Sequence, residues 1–272
     1  MAGRTARGAR LAGRRARSQH FLRSPRLAAA IVAEADVRPD DLVLDVGAGS
    51  GRLTEPLAAS GARVRAIEVD PAWAAHLRDR FRGAPNVTVV EADALRARLP
   101  DEPFRVVANL PFHVTTPILR RLLDDPAVPL ARADVLVEWE VARKRALCWP
   151  STLLSVLWGA SYELVVVRRV PAACFEPRPD ADAGVLRVVR RAQALVPPAE
   201  IARFRALVEA GFRTRRPSLR AALAPVLPER AFKRLARELG FDATAAARHL
   251  DVHQWAALHA AVPCAAPARR RS

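Results

Sequence analysis

Four short apolar runs, each followed by a turn residue and a helix-like stretch, constrain this chain more than any other feature. They are Leu42 to Val46, Arg63 to Val69, Asn86 to Val90 and Phe104 to Ala108. Each ends in a glycine, an acid or an amide before the chain turns helical. Strands that alternate with helices at this spacing form parallel sheets, and such sheets bind ligands at the carboxyl ends of their strands. The expected fold is therefore α/β with a Rossmann-like sheet. A long helix, Pro25 to Ala35, precedes the first strand.

The first run, Leu42-Val43-Leu44-Asp45-Val46, leads into Gly47-Ala48-Gly49-Ser50-Gly51, and Arg52 to Ala59 then reads as a helix start. Glycines there let the backbone turn sharply and approach a ligand closely. A dinucleotide site calls for G-x-G-x-x-G, so that a pyrophosphate rests on the helix N-terminus. This chain has G-x-G-x-G with Asp45 just ahead. A carboxylate in that place repels a pyrophosphate and suits an amine-bearing, cationic ligand. S-Adenosylmethionine, with an amine and a sulfonium, fits better than NAD. Glu68, at the end of the second run, is placed to take both ribose hydroxyls, whereas Asp70 ahead of Pro71 reads as a helix N-cap. Asp93, after the third run, is either an acceptor for the adenine amine or a solvated loop acid. Upstream, Gln19 and Phe21 in Ser18-Gln19-His20-Phe21-Leu22 either fold over the methionine end of the cofactor or staple the following helix.

The fourth run ends in Asn109-Leu110-Pro111-Phe112. Methylation of an exocyclic amine needs acceptors that orient its N–H groups, and the Asn109 side-chain carbonyl and the Leu110 backbone carbonyl can supply them. Pro111 fixes the backbone and adds no competing donor. Phe112 offers a flat face to a flipped-out base. A strand running into a tight turn would give the same letters, but the cofactor-like elements ahead of it favour chemistry. Asn109, Leu110, Pro111 and Phe112 are the candidate catalytic residues.

The ordered set QHFL, LDVGAGSG, AIEVD, EADAL, NLPF and FEPRP resembles the ribosomal RNA adenine N6-methyltransferase family over about Ser18 to Val262. The resemblance implies S-adenosylmethionine held by Gln19, Phe21, Gly47, Gly49, Gly51, Glu68, Asp93 and Asn109. It implies catalysis at Asn109 to Phe112, with Phe112 where many relatives carry Tyr. It also implies that Phe175 packs against the target base. Relatives carry Val-Asp after that motif, where this chain has Ala181-Asp182. One branch of the family dimethylates small-subunit RNA. The other, the erythromycin-resistance (Erm) methyltransferases, modifies an adenine of large-subunit 23S RNA. Val137 to Ala146, read as a helix with Arg143 and Lys144 on a basic face, resembles actinobacterial Erm proteins, as does the ending His253 to Leu258. The implied partner is ribosomal RNA, 23S favoured, met before full subunit assembly, and the implied consequence is macrolide and lincosamide resistance.

Charge supports a polyanionic partner. The 272 residues carry a formal charge of +16, almost all of it from arginine, since Lys144 and Lys233 are the only lysines. Arginine suits bidentate phosphate contact and stacking on bases. A small-molecule methylase would leave this charge unexplained. Cys148, Cys174 and Cys264 lack metal-ligand or C-x-x-C spacing and read as reduced thiols of a cytoplasmic monomer, with no metal expected. No run reaches membrane-spanning length.

The expected organisation is a disordered basic arm (1–17, with a mitochondrial transit peptide as the rival reading), a methyltransferase domain (18–192), a helical RNA-binding domain (193–264) and a basic tail (265–272). Strands at Tyr162 to Val167 and Gly184 to Val189 flank the Pro-rich loop Cys174 to Asp180. Gln193 to Ala199 reads as a linker. Helices follow near Pro198 to Phe212, Ser218 to Val226, Pro228 to Leu239 and Asp251 to Ala261. Arg213, Arg215, Arg216 and Arg220 cluster at one joint, either to grip RNA phosphates or as a solvent-facing run.

Overall fold

The structure is a computed structural model that describes residues 20–147, 149–213 and 218–262. The expected arm and tail, Gln19, Arg215, Arg216, Cys148 and Cys264 lie outside the described residues. In chain order the strands are β1 (Phe21–Leu22), β2 (Leu42–Val46), β3 (Arg63–Glu68), β4 (Val87–Glu91), β5 (Phe104–Asn109), β6 (Leu130–Glu138), β7 (Tyr162–Val170), β8 (Phe175–Glu176) and β9 (Ala183–Arg190). Seven of them form one sheet in the order β4-β3-β2-β5-β6-β9-β7. The run from β4 to β6 is parallel, and β9 is antiparallel to β6. All five residues of β2 are buried. Burial on both faces is why the run reads as apolar but for Asp45.

Helices α1 (Pro25–Glu34), α2 (Thr54–Ala59), α3 (Pro71–Arg80) and α4 (Thr115–Leu123) accompany the first five strands of the sheet in sequence. Asp70 caps α3 as expected, accepting from the Ala72 and Trp73 N–H groups at 2.8 and 3.4 Å.

Strand β6 was not legible as a strand, and Val137 and Glu138 belong to it; the helix expected from Val137 begins at Trp139 as α5 (Trp139–Ala146). Charge hides β6. Asp134, only 1% exposed, accepts from the Nε–H of Arg132 at 2.6 Å and of Arg187, its cross-strand partner, at 2.7 Å. Both arginines also donate to the Glu34 carbonyl at the end of α1. A buried carboxylate is tolerable here because it is doubly paired, and the same guanidiniums satisfy an orphan helix carbonyl.

The described residues form two compact units. One comprises residues up to 143 with Leu164–Arg190, and the other Lys144–Glu163 with residues from 191 onward. Lys144–Glu163, assigned above to the methyltransferase domain, thus packs with the helical part. The reason is α6 (Leu153–Gly159), which contributes Val156 and Leu157 to the helical core. Thr152 and Ser155 start this helix with a reciprocal capping box.

The other helices of the second unit are α7 (Ile201–Arg213), α8 (Leu219–Leu223), α9 (Glu229–Glu238) and α10 (Val252–Ala261). Their core is centred on Phe204, Leu219, Phe232 and the fully buried Trp255. Gly211 lets that indole approach. A Cβ there would stand 2.5 Å from Trp255 Cη2 and 2.8 Å from Leu219 Cδ1. Gly211→Ala gains about 1 kcal/mol of helix propensity, but overpacking a rigid ring costs about 1–3 kcal/mol. The expected outcome is net destabilisation by urea titration. A variant as stable as the parent would show that Trp255 has room to yield.

Candidate active site

The sheet reverses its growth between β2 and β5: β3 and β4 extend one way, β5 and β6 the other. The crevice at such a reversal lies outside the carboxyl ends of the two central strands. Those ends carry Gly47 to Gly51 and Asn109 to Phe112, so the two motifs meet. Gly47 has φ +74°, and a Cβ on it would lie 3.4 Å from Pro111 Cδ. Gly49 has φ +51°, and a Cβ would lie 2.5 Å from Phe21 Cε1. Both positions favour glycine for conformation, and Gly49 needs it for space as well. The Gly51 N–H closes the turn on the Ala48 carbonyl at 2.9 Å. Arg80 holds the loop from outside through the Ser50 carbonyl and Glu55.

Glu68 is buried at the end of β3. One carboxylate oxygen accepts from the Gly49 N–H, the other from the Val69 and Asp70 N–H groups, all at 2.9 Å. It therefore ties the glycine loop to the neighbouring strand end. Asp93 follows β4, and one of its oxygens accepts from the Leu95 N–H at 2.9 Å. Asp45 does not present a charge to a ligand as expected. It is buried and accepts from the Thr54 hydroxyl at 2.7 Å. Burial pushes its carboxyl up to about 7, the Thr54 hydrogen bond opposes this, and the nearby Glu68 charge adds to it.

Asn109 ends β5, and the next peptide is fixed by the Leu110 N–H donating to Leu136 O at 3.0 Å. The Asn109 Nδ2 donates to the His20 carbonyl at 2.6 Å. That bond turns the amide so that its Oδ1 remains as the acceptor. His20 Nδ1 in turn hydrogen-bonds the Pro177 carbonyl at 2.7 Å, and its ring lies 5.6 Å from the half-buried Phe112. Two residues missed in the sequence thus stand at the site. One is His20. The other is Trp73, in the first turn of α3, whose ring is 5.0 Å from Phe21. An aromatic one turn after the strand-end acid was the available signal.

β1 and β8 pair antiparallel, Phe21 opposite Glu176 and Leu22 opposite Phe175. Phe21–Leu22 and Phe175–Glu176, far apart in sequence, are therefore one two-stranded element. Phe175 does not meet a base as expected. It is 1% exposed and packs in the core with Leu22 and Ile31, because pairing with β1 turns its ring inward. Asp182 fixes the loop where this chain departs from its relatives. It accepts from the Ala172 N–H and the Arg169 Nε–H, both at 2.9 Å, and these bonds, the first foremost, hold its carboxyl below the usual range.

Of the basic candidates, Arg143 pairs with Glu140, Arg213 with Glu209 and Arg220 with Glu229, all at the surface, and Lys144 is exposed. Among the described residues no group of three or more His, Cys, Asp or Glu is placed to hold a metal ion, and no helix is long and apolar enough to cross a membrane.

The model of the ribosomal RNA adenine dimethylase family matches residues 10–261. An rRNA adenine N-6-methyltransferase of Saccharopolyspora erythraea is 33% identical over 89% of this chain, which spans 63% of that protein's length. A ribosomal RNA small subunit methyltransferase A of a Synechococcus species is 34% identical over 88% of this chain and 89% of its own. The crystal structure of the 23S rRNA methyltransferase ErmE superposes with a TM-score of 0.81 at 33% identity, over 89% of this chain and 99% of that one.

The buried Asp45 gives a pH signature. Its folded pKa is raised, so between about 4 and about 7 the folded chain holds a proton that the unfolded chain has released. Its contribution to stability therefore falls as pH rises through that window and is level above it. Asp45→Asn keeps a partner for Thr54 and removes the titration. Relative to the variant, the parent should lose on the order of 2–4 kcal/mol between pH 4 and pH 7.5. Parallel stability–pH curves for the two proteins would refute a buried, proton-binding Asp45.

Proposed function

The chain belongs to the ribosomal RNA adenine dimethylase family of S-adenosylmethionine-dependent rRNA adenine N6-methyltransferases, and on that premise we propose that it methylates N6 of an adenine in 23S ribosomal RNA and so confers macrolide and lincosamide resistance. The observation that carries the chemistry is the Asn109 amide. Its Nδ2 is committed to the His20 carbonyl, which leaves Oδ1 to accept from an adenine N6.

The residues present fit the cofactor. Gly47, Gly49 and Gly51 hold left-handed backbone, at φ +74°, +51° and +78°, and leave the loop backbone without side chains of its own toward a ligand. Glu68 accepts three backbone hydrogen bonds, and a carboxylate has about four acceptor positions, so it keeps capacity for a ribose hydroxyl. Asp93 stands at the adjacent strand end for the adenine amine. Phe21, lying on Gly49 and flanked by Trp73, covers the loop. Gln19 joins this set by the family pattern. When bound, the cofactor supplies an electrophilic methyl group. The chain's own part is positioning. Phe112 stacks the extruded base, Asn109 Oδ1 and the Leu110 carbonyl hold the N6 hydrogens, and Pro111 keeps that turn rigid. N6 sheds its surplus proton to solvent after attack, so no side chain need act as a strong base. Alignment of this kind supplies most of the acceleration.

The 23S reading draws on the likeness to ErmE and on Val137 to Ala146 and His253 to Leu258. The second reading is a small-subunit adenine dimethyltransferase, favoured by the 34% identical Synechococcus relative. In either reading Arg143, Lys144, Arg213, Arg215, Arg216 and Arg220 are the proposed phosphate contacts.

Asn109→Ala should lower turnover on the order of 10²-fold or more with little change in RNA affinity. Near-parental turnover would remove Asn109 from the chemistry. Phe112→Ala should be severely impaired and Phe112→Tyr active, since either ring stacks a base and alanine does not. Labelled cofactor, each protein-free ribosomal RNA and mapping of the labelled adenine decide the substrate. Label in small-subunit RNA, with no macrolide resistance on expression in a sensitive bacterium, would overturn the 23S assignment and leave the N6 chemistry in place.

A further inference from the structure

The helical unit contains a hollow of about 750 Å³ that the proposed chemistry does not use. Its size falls in the range of small-ligand sites. At its rim stands Trp149, 64% exposed, the most exposed large hydrophobic side chain among the described residues. An indole left in water at the mouth of a hollow is a surface awaiting a flat partner. Its neighbours suit a nucleobase. The His249 ring lies 6.1 Å away, tilted by 35°. The exposed Arg248, next along the wall, is a cation able to stack on a base or meet a phosphate.

The rim is built, not loose. Ser151 N–H donates to the Arg248 carbonyl at 2.8 Å, so the segment carrying Trp149 is tied to the short helical turn Ala247–His249. On the opposite wall Gln254 is locked at both ends, donating to the Leu239 carbonyl and accepting from the Asp251 N–H. Asp242 takes the Thr244 N–H and hydroxyl, both at 2.7 Å, on one oxygen. Those bonds hold its carboxyl below the usual range, so it stays an acceptor. A wall with an ionised carboxylate opposes a phosphate and favours the amine edge of a base.

We propose that this hollow takes one unpaired nucleobase of the RNA substrate, stacked on Trp149 beside Arg248, with its amine edge toward Asp242. The site is separate from the one that holds the target adenine. It selects RNA that presents a second single-stranded base, which helps the chain choose among the many adenines of a ribosomal RNA. The inference rests on the reading that the substrate is RNA.

The test uses the full chain and a protein-free ribosomal RNA fragment that it labels. Stacking on an aromatic side chain is a sequence-tolerant contact, and its removal by Trp149→Ala should weaken RNA binding about 5- to 150-fold. Trp149→Phe should recover most of that loss, and cofactor affinity should not change in either variant. In the parent, RNA should shield Trp149 from acrylamide quenching, read as the difference between parent and Trp149→Phe. That measurement holds even if Trp149→Ala folds poorly. Parental RNA affinity in Trp149→Ala, or a Trp149 as open to acrylamide in the complex as in the free chain, overturns the proposal while the methylation reading stands. Loss of self-association in the variant without loss of RNA affinity assigns the hollow to a second copy and also overturns it. A parent chain that neither binds nor labels RNA overturns the substrate reading, and this proposal with it.

Discussion

The parallel ladder between β2 and β5 is the contact on which the site depends. It pairs Val43 with Arg105 and Leu44 with Val106, and it is the place where the sheet changes its direction of growth. Two strands joined there must send their following loops apart, which opens a crevice without any special residue. The residues then make it specific. Gly47 passes against Pro111, so the glycine loop and the turn from Asn109 to Phe112 share a wall. The ladder itself is held by burial of Val43, Leu44, Val106, Val107 and Ala108. Stability and geometry are set by the same side chains.

Much of this was legible because double-sided burial leaves a plain mark. β2, β3 and β5 read as largely apolar runs despite Asp45, Arg65 and Arg105, and the glycines after β2 read as a sharp turn that brings the backbone close to a ligand. β6 did not, because Arg132 and Asp134 interrupt its pattern and the pairing of Asp134 with Arg187 depends on a strand some fifty residues later. Phe175 was misread for a related reason. An aromatic side chain in a Pro-rich loop looks available until its backbone is found paired to β1. Asp45 shows the limit of arguing from a charge in a motif, since the letters do not say which face the carboxylate takes. In the structure it turns onto Thr54, while Glu68 accepts from backbone N–H groups at the mouth of the loop.

The two buried acids divide the labour of the glycine loop. Glu68 accepts only from N–H groups and so pins the loop by its charge. Asp45, one strand over, is held by Thr54 in a buried setting. Two full negative charges at that spacing would compete with each other and with burial. The protein resolves the conflict by solvating one with backbone dipoles and letting the other hold its proton more tightly.

The pairing of β1 with β8 gives the site an order of assembly. The glycine loop, Glu68, Asp93 and Asn109 are all synthesised before Phe175, yet the strand that covers the loop and supplies the His20 carbonyl finds its partner only at Phe175 and Glu176. A nascent chain that ends before those residues carries the glycine loop, Glu68, Asp93 and Asn109 and lacks the strand that pairs with β1. Long-range contacts of this kind form late because the intervening chain must first be brought together. The β1–β8 pairing therefore becomes available only near the end of the first unit's synthesis, and a product truncated before Phe175 lacks the strand that pairs with β1.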